Sequence, residues 1–151
     1  MSESTLPADV MAWISQHLRR YQETNGADGH LWDASAVGGP KYVPTLLLTT
    51  SGRRTGKPIV MPLIYGVANG AFLVVASKGG APQHPGWYLN LVAHPTVEVQ
   101  VGGEKFRATA RTATGAERAT LWKQMAVIYP PYDEYQSRTD REIPVVVLDR
   151  V

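Results

Sequence analysis

The chain has 151 residues, including 14 glycines, 11 prolines and no cysteine, and its formal net charge is +2. That is the size of one turn-rich domain, and the missing thiol excludes disulfides, thiolate zinc sites and iron–sulfur clusters. With 44% hydrophobic and 19% charged residues the chain is not disordered, and it lacks both the roughly 20-residue apolar run of a membrane span and the layout of a secretory signal, so it reads as soluble and cytoplasmic.

Pro7–Glu23 predicts an amphipathic helix, because Val10, Met11, Ile14, Leu18 and Tyr21 recur near helical spacing with Trp13 beside the stripe. Glycine-rich Asn25–Pro40 reads as a linker, so residues 1–40 are expected to form a helix and linker ahead of a domain spanning 41–151. Strands are expected at Val43–Thr50 and Pro58–Val67, and Asn69-Gly70 is a hairpin turn into Ala71–Ser77. Lys78–Pro85 is a loop, and Pro85 opens a short helix through Ala93. Thr96–Val101 and Glu104–Arg111 form a hairpin across Gly102-Gly103. Thr114 and Glu117 fit a capping box for a helix to Ile128, which Pro130-Pro131 stops. Tyr132–Arg138 adds one or two helical turns, and Ile143–Leu148 is a last strand. Six strands with few helices between them predict a mainly β (α+β) fold, an antiparallel barrel rather than a doubly wound sheet.

Charge is unevenly distributed. Residues 34–97 contain no Asp or Glu but hold Lys41, Arg53, Arg54, Lys57 and Lys78, so an anion is attracted wherever these converge. The turn Ser51-Gly-Arg-Arg-Thr-Gly-Lys57 offers planar guanidinium forks and a point charge suited to phosphate or carboxylate. It is not a nucleotide phosphate loop, because the glycine spacing is one residue short and Pro58 stands where a hydroxyl is needed. Ser77-Lys-Gly-Gly80 allows close backbone approach to a ligand. Tyr129, Tyr132 and Tyr135 recur every three residues and can wall an apolar site with polar tips. His84 and His94 flank the short helix without a third ligand, so no metal site is expected.

Four ordered motifs then carry a resemblance: Leu48-Thr-Thr-Ser-Gly-Arg-Arg-Thr-Gly-Lys-Pro58, Ala76-Ser-Lys-Gly-Gly80, Pro85-Gly-Trp-Tyr-Leu-Asn-Leu91 and Tyr129-Pro-Pro-Tyr-Asp-Glu-Tyr135, closed by Arg141-Glu-Ile-Pro144. From Pro40 to Leu148 the chain resembles the deazaflavin-dependent nitroreductase family, split-barrel reductases that use coenzyme F420. The resemblance implies a split β-barrel related to flavin-binding oxidases, with residues 41–151 as the deazaflavin-binding domain. It implies that Arg53, Arg54, Thr55 and Lys57 hold the cofactor's phosphate and acidic tail. Ile59, Val60, Met61, Pro62, Leu63 and Ile64 would run under the ring. Val75, Ala76, Ser77, Lys78 and Gly79 would sit on the neighbouring strand end, with Gly86, Trp87, Tyr88, Leu89 and Asn90 along another edge. Tyr129, Tyr132 and Tyr135 would form the substrate wall, with Tyr132 closest to the chemistry and Tyr132, Ser77 or water as proton source. One departure is Ile64, where family members often carry tyrosine; Tyr65 is adjacent but faces the opposite side of a strand.

The expected activity is hydride transfer from the reduced deazaflavin to an electron-poor small molecule: a quinone, a conjugated enone or lactone, or a nitroaromatic. Two alternatives are an FMN-binding split-barrel oxidoreductase and a small barrel that binds single-stranded nucleic acid. The aromatics gather near predicted helix ends rather than along strand faces, which disfavours nucleic acid. The chain is expected to be a monomer or homodimer. Its N-terminal helix either closes the groove or makes a weak peripheral membrane contact through Arg19 and Arg20.

Overall fold

The computed structural model describes residues 8–151, apart from the side chains of residues 8–10 and 37. The expected helix start at Pro7 and the Val10 side chain lie outside the described residues. Helix α1 spans Ala8–Glu23. The linker carries the two-residue strand β1, Leu31–Trp32, and a 3-10 turn at Ser35–Val37. Then come β2 (Val43–Ser51), β3 (Pro58–Ile64), β4 (Gly66–Ala68) and β5 (Ala71–Val75). A second 3-10 turn, Lys78–Gly80, leads to α2 (Gly86–Ala93). The chain closes with β6 (Thr96–Val101), β7 (Glu104–Thr112), α3 (Gly115–Ile128), α4 (Pro131–Ser137) and β8 (Val145–Arg150).

All strand pairs are antiparallel along the path β1-β2-β6-β7-β8-β5-β4, with β3 on β2. The predicted strand Pro58–Val67 is one continuous run that changes partner. Its pairing with β2 ends at Ile64↔Thr45, Tyr65 N–H donates to the Pro44 carbonyl (3.1 Å), and pairing with β5 begins at Gly66↔Leu73. Gly66 sits at this bend, where an added Cβ would stand 2.6 Å from Met125 Sδ, so the Met125 side chain would have to shift to admit one. The six expected strands thus become eight segments, six of them making a barrel if β3 and β4 count as one. Continuous chain joins the two ends of the sheet, but no ladder joins β3 to β5. That gap is the split.

Two cores form because β5 and β8 are buried on both faces. On the inner face Leu46, Leu48, Val74, Val97, Val146 and Leu148 fill the barrel, and Trp87 and Leu91 of α2 plug one end. On the outer face Leu73, Val75, Val145 and Val147 meet Leu121, Met125 and Tyr132 of α3 and α4. Each large aliphatic buried this way contributes about 1.5–3 kcal/mol. The strictly apolar run Val145-Val-Val-Leu148 therefore reflects a strand covered on both sides, not one facing water.

Four local expectations are corrected. Thr114 caps α3 with backbone only: its side chain makes no capping bond, and Glu117 instead meets Arg111 through two parallel bonds of 2.7 and 3.0 Å. A bidentate, charge-assisted pair outcompetes a lone backbone amide, and it holds the Glu117 carboxyl below the usual carboxylate range. Helix α4 starts at Pro131, one residue earlier than expected, because proline suits the first helical position. Strand β5 stops at Val75 because Ser77 turns helical (φ −78°, ψ −41°). Strand β8 starts at Val145 because Ile143 N–H is taken by the Gln136 side chain (2.9 Å) and Pro144 has no donor.

Helix α1 lies against β3. Tyr21 is fully buried, receives Gly102 N–H at 2.8 Å and donates to the Thr45 carbonyl at 3.0 Å. Ile14 and Leu18 are half-buried, whereas Met11, also assigned to the stripe, is exposed. No helix among the described residues is long and apolar enough to cross a membrane.

Candidate functional site

A cavity of about 560 Å³ occupies the split, with β3 on one side and the ends of β5 and α2 on the other. The bond from Tyr65 N–H to Pro44 sets the phase of the β2–β3 ladder. Alternation then directs the backbone groups of Ile59, Met61 and Leu63 toward β2. The N–H groups of Val60 and Ile64, and the carbonyls of Val60, Pro62 and Ile64, point away from β2 into the split. Pro58 and Pro62 both fall in this unpaired phase, so neither removes a ladder bond. The result is a free strand edge presenting donors and acceptors to whatever fills the gap.

The lining is mostly apolar, contains no Asp or Glu among the described residues, and includes the cations Arg53 and Lys78. Arg53 is placed by Asn90, a buried residue of α2. Asn90 Oδ1 accepts from both the Arg53 backbone N–H (3.1 Å) and Nη1 (2.9 Å), and Nη1 also reaches the Gly86 carbonyl at 3.3 Å. Asn90 Nδ2 in turn donates to Thr50 Oγ1 at 3.2 Å. Bonds from Gly52 N–H to the Lys57 carbonyl (2.8 Å) and from Gly56 N–H to the Gly52 carbonyl (2.7 Å) close the turn itself. Arg54, Thr55 and Lys57 are exposed on this turn and lie outside the cavity lining.

Across the cavity, Ser77, Lys78 and Gly79 line its edge through left-handed backbone at Lys78 (φ 47°), Gly79 (φ 64°) and Gly80 (φ 83°). An added Cβ at Gly80 would stand 2.5 Å from the Tyr135 carbonyl, so this turn is seated directly on α4. There the three tyrosines converge. Tyr129 and Tyr132 meet edge to face at 4.8 Å between ring centroids, and the Tyr129 and Tyr135 hydroxyls are 3.0 Å apart. Burial first, and the neighbouring phenols second, raise the Tyr132 hydroxyl well above the ordinary phenol value; burial does the same for Tyr129. Both remain protonated donors at neutral pH. No described residue hydrogen-bonds the Tyr132 hydroxyl, and it is not sealed away from the cavity.

Most of the implied ring-side residues line the cavity, and four do not. Ile59, Met61, Pro62, Leu63, Ile64, Val75, Gly86, Trp87 and Asn90 line the cavity, as do Tyr129, Tyr132 and Tyr135. Val60 faces the opposite side of β3, Ala76 points into the barrel core, and Tyr88 turns away to bond Thr112 Oγ1 at 2.9 Å. Leu89 also falls outside the lining. Tyr65 faces away from Ile64 as strand alternation requires, and its hydroxyl meets His30 Nε2 at 2.8 Å. Groove closure by the α1 stripe was one expectation from sequence, and Ile14 of that stripe lines the cavity; sequence reasoning missed Trp13 and His17 beside it, together with Trp32, Thr45 and Pro85. Trp13 packs on Trp32 at 4.9 Å, and Trp32 lies 6.4 Å from Tyr129, so α1 extends the aromatic wall. His17 Nε2 donates to the Gly29 carbonyl at 2.8 Å, which fixes its tautomer. The signal was present in the spacing, because Trp13 and His17 sit four apart on one helical face.

An antiparallel barrel opened along one strand, with an apolar, cation-tipped slot in the opening, places the chain in the split-barrel class. Within that class, the family model described as F420H2-dependent quinone reductase matches residues 13–150. The chain belongs to the F420H2-dependent quinone reductase family, a family of oxidoreductases. It is 40% identical over 154 residues to an F420H2-dependent quinone reductase of Mycobacterium tuberculosis (strain H37Rv), covering 94% of this chain and 99% of that protein. A solved F420H2-dependent reductase, FDR-A, is 48% identical with a TM-score of 0.66, covering 70% of this chain and 94% of the other. A solved domain-swapped dimer is 41% identical with a TM-score of 0.69, covering 93% of this chain and 99% of the other.

Proposed function

We propose that the split binds reduced coenzyme F420, with its ring against the free edge of β3 and its anionic side at Arg53, and that the aromatic wall receives a quinone. The observation that carries this reading is the lining itself: mostly apolar, without a carboxylate among the described residues, and carrying the cations Arg53 and Lys78. A planar heteroaromatic with amide-like edges fits the backbone donors and acceptors of Val60, Pro62 and Ile64, and a phosphate or carboxylate fits the Arg53 fork.

When bound, the reduced deazaflavin supplies a hydride. The chain supplies the geometry. Asn90 holds Arg53 so that its guanidinium is already oriented before the anion arrives, which lowers the ordering cost of binding. Arg54 and Lys57, exposed just beyond, add long-range attraction for an acidic tail rather than directed bonds. The rings of Trp13, Trp32 and Tyr129 exclude water from the transfer path. The Tyr132 hydroxyl and Ser77 donate to an acceptor oxygen as charge builds there, with Tyr132 steering and solvent replacing the proton. Ile64 in place of a tyrosine leaves the floor of this acceptor space apolar, which favours quinones and enones over nitroaromatics.

Helix α1 serves here as a cavity wall, with Ile14 facing the site, so it makes weak or no membrane contact. Of the monomer and homodimer expected from sequence, the domain-swapped relative supports the homodimer.

The test is binding before turnover. Titration with oxidised F420 should saturate by fluorescence while FMN should not, and F420H2 should then be oxidised fastest by a soluble quinone among quinone, enone and nitroaromatic acceptors. Binding of FMN in preference to F420 overturns the reading.

A further inference from the structure

Behind the Ser77–Gly80 turn, on the side away from the cavity, lies the half-buried guanidinium of Arg141. Its Nε donates to the Ala81 carbonyl (2.8 Å), Nη1 to the Ala76 carbonyl (3.2 Å) and Nη2 to the Ser77 carbonyl (2.7 Å). Nη1 also meets His84 Nδ1 at 3.1 Å. Among the described residues no carboxylate pairs with it, so three peptide dipoles and a neutral imidazole compensate the charge.

In a trans peptide the C=O and the following N–H point in opposite directions. Drawing the Ala76 and Ser77 carbonyls back onto Arg141 therefore turns the N–H groups of Ser77 and Lys78 the other way, toward the cavity that both residues line. Neither N–H is used within the turn, whose internal bonds run from Gly80 N–H to Ser77 and from Ala81 N–H to Lys78.

We infer that Arg141, braced by His84, is a positioning residue that aims the Ser77 and Lys78 amides at a carbonyl or oxyanion of the ring in the split. The inference rests on the F420 reading of that site. Arg141 touches nothing in the cavity; it acts through the two peptides.

The brace requires Nδ1 of His84 to be a lone pair. The groups facing His84 are Arg141 and the Tyr88 ring, whose centroid lies 4.8 Å away. Burial first and the Arg141 charge second hold the imidazole below its ordinary range, so the brace is intact at neutral pH and is lost only as pH falls into acid. Protonation there would remove the acceptor and set two cations against each other.

The test uses the full chain and reads oxidised F420 binding across pH, with amide nitrogen shifts of Ser77 and Lys78 as an independent readout. Wild type should lose affinity in acid, together with a shift change at both amides. His84→Gln, which keeps an acceptor but takes no proton, should lose that acid limb and its shift change. Arg141→Lys cannot span three carbonyls and should bind F420 at least about tenfold more weakly at neutral pH, the scale of a lost charge-assisted bond. An acid limb and shift change unaltered in His84→Gln, or wild-type affinity in a folded Arg141→Lys, overturns the inference. Should wild type bind no F420 at any pH, the functional reading fails instead, and the amide shifts alone decide the brace.

Discussion

The two ends of the cavity are built differently. At the basic end, Arg53 is bonded through both its backbone and its side chain to Asn90, itself tied to Thr50, so one cation is fixed by polar partners from α2 and β2. At the other end nearly everything is ring against ring, from Trp13 through Trp32 to the three tyrosines, with a single hydroxyl–hydroxyl bond among the phenols. Directional bonds suit a partner whose charges never vary. Rings suit a set of acceptors that share flatness but not polar pattern, because a ring face accepts any of them and only the hydroxyl tips discriminate.

This contrast breaks first at Asn90. Replacing it with Ala removes the acceptor shared by the Arg53 backbone N–H and Nη1 and should cost about 1–3 kcal/mol of stability, read as a melting temperature lower by roughly 2–12 °C, with F420 affinity lost as well. Arg53→Ala removes the fork and leaves Asn90 otherwise in place. It should weaken F420 binding by about 1.5–3 kcal/mol in fluorescence titration, while acceptor KM is unchanged at saturating cofactor. At the aromatic end, Tyr132→Phe keeps the ring and should lower kcat/KM for a quinone about tenfold, near 1.4 kcal/mol, with cofactor affinity nearly constant. Full turnover with badly weakened F420 binding would instead assign Tyr132 to the cofactor. The smallest effect belongs to exposed Arg54. Arg54→Ala should weaken binding a few-fold at low salt and not at all at high salt, where screening has already removed its contribution.

Elements whose cause lies within a few residues were legible in the sequence. The Asn69-Gly70 hairpin, the Gly102-Gly103 hairpin and the stop at Pro130-Pro131 all fell where turn chemistry put them. The break at Tyr65 did not, because nothing local ends that strand; it changes partner from β2 to β5. The capping box failed for the same reason in reverse, since a correct local signal lost Glu117 to Arg111 on another element. In the site, charge asymmetry pointed to Arg53 and Lys78, but alternation along β3 could not have separated Val60 from the rest, because Pro62 and Ile64 of the same face line the cavity. Asn90 stood in the family motif, but its bond to Arg53 spans 37 positions and left no trace in spacing. Arg141 reaches back 64 residues to Ser77, and α1 was read mainly for its stripe rather than for Trp13 and His17 beside it.

A strand that leaves its neighbour exposes a row of amides and carbonyls, and such a row is a template on which another chain can add. On the proposed function the template is the cofactor's seat, so it cannot be blunted by bulges or charges without spoiling the site. Its unpaired phase already carries two prolines, and α1 lies against the strand and walls the cavity in front of it. Helix and prolines together act as a guard against intermolecular strand addition whenever the slot stands empty. Deleting residues 1–23 should therefore drive concentration-dependent association beyond the homodimer, measured by light scattering, and saturating F420 should suppress that association by occupying the same edge.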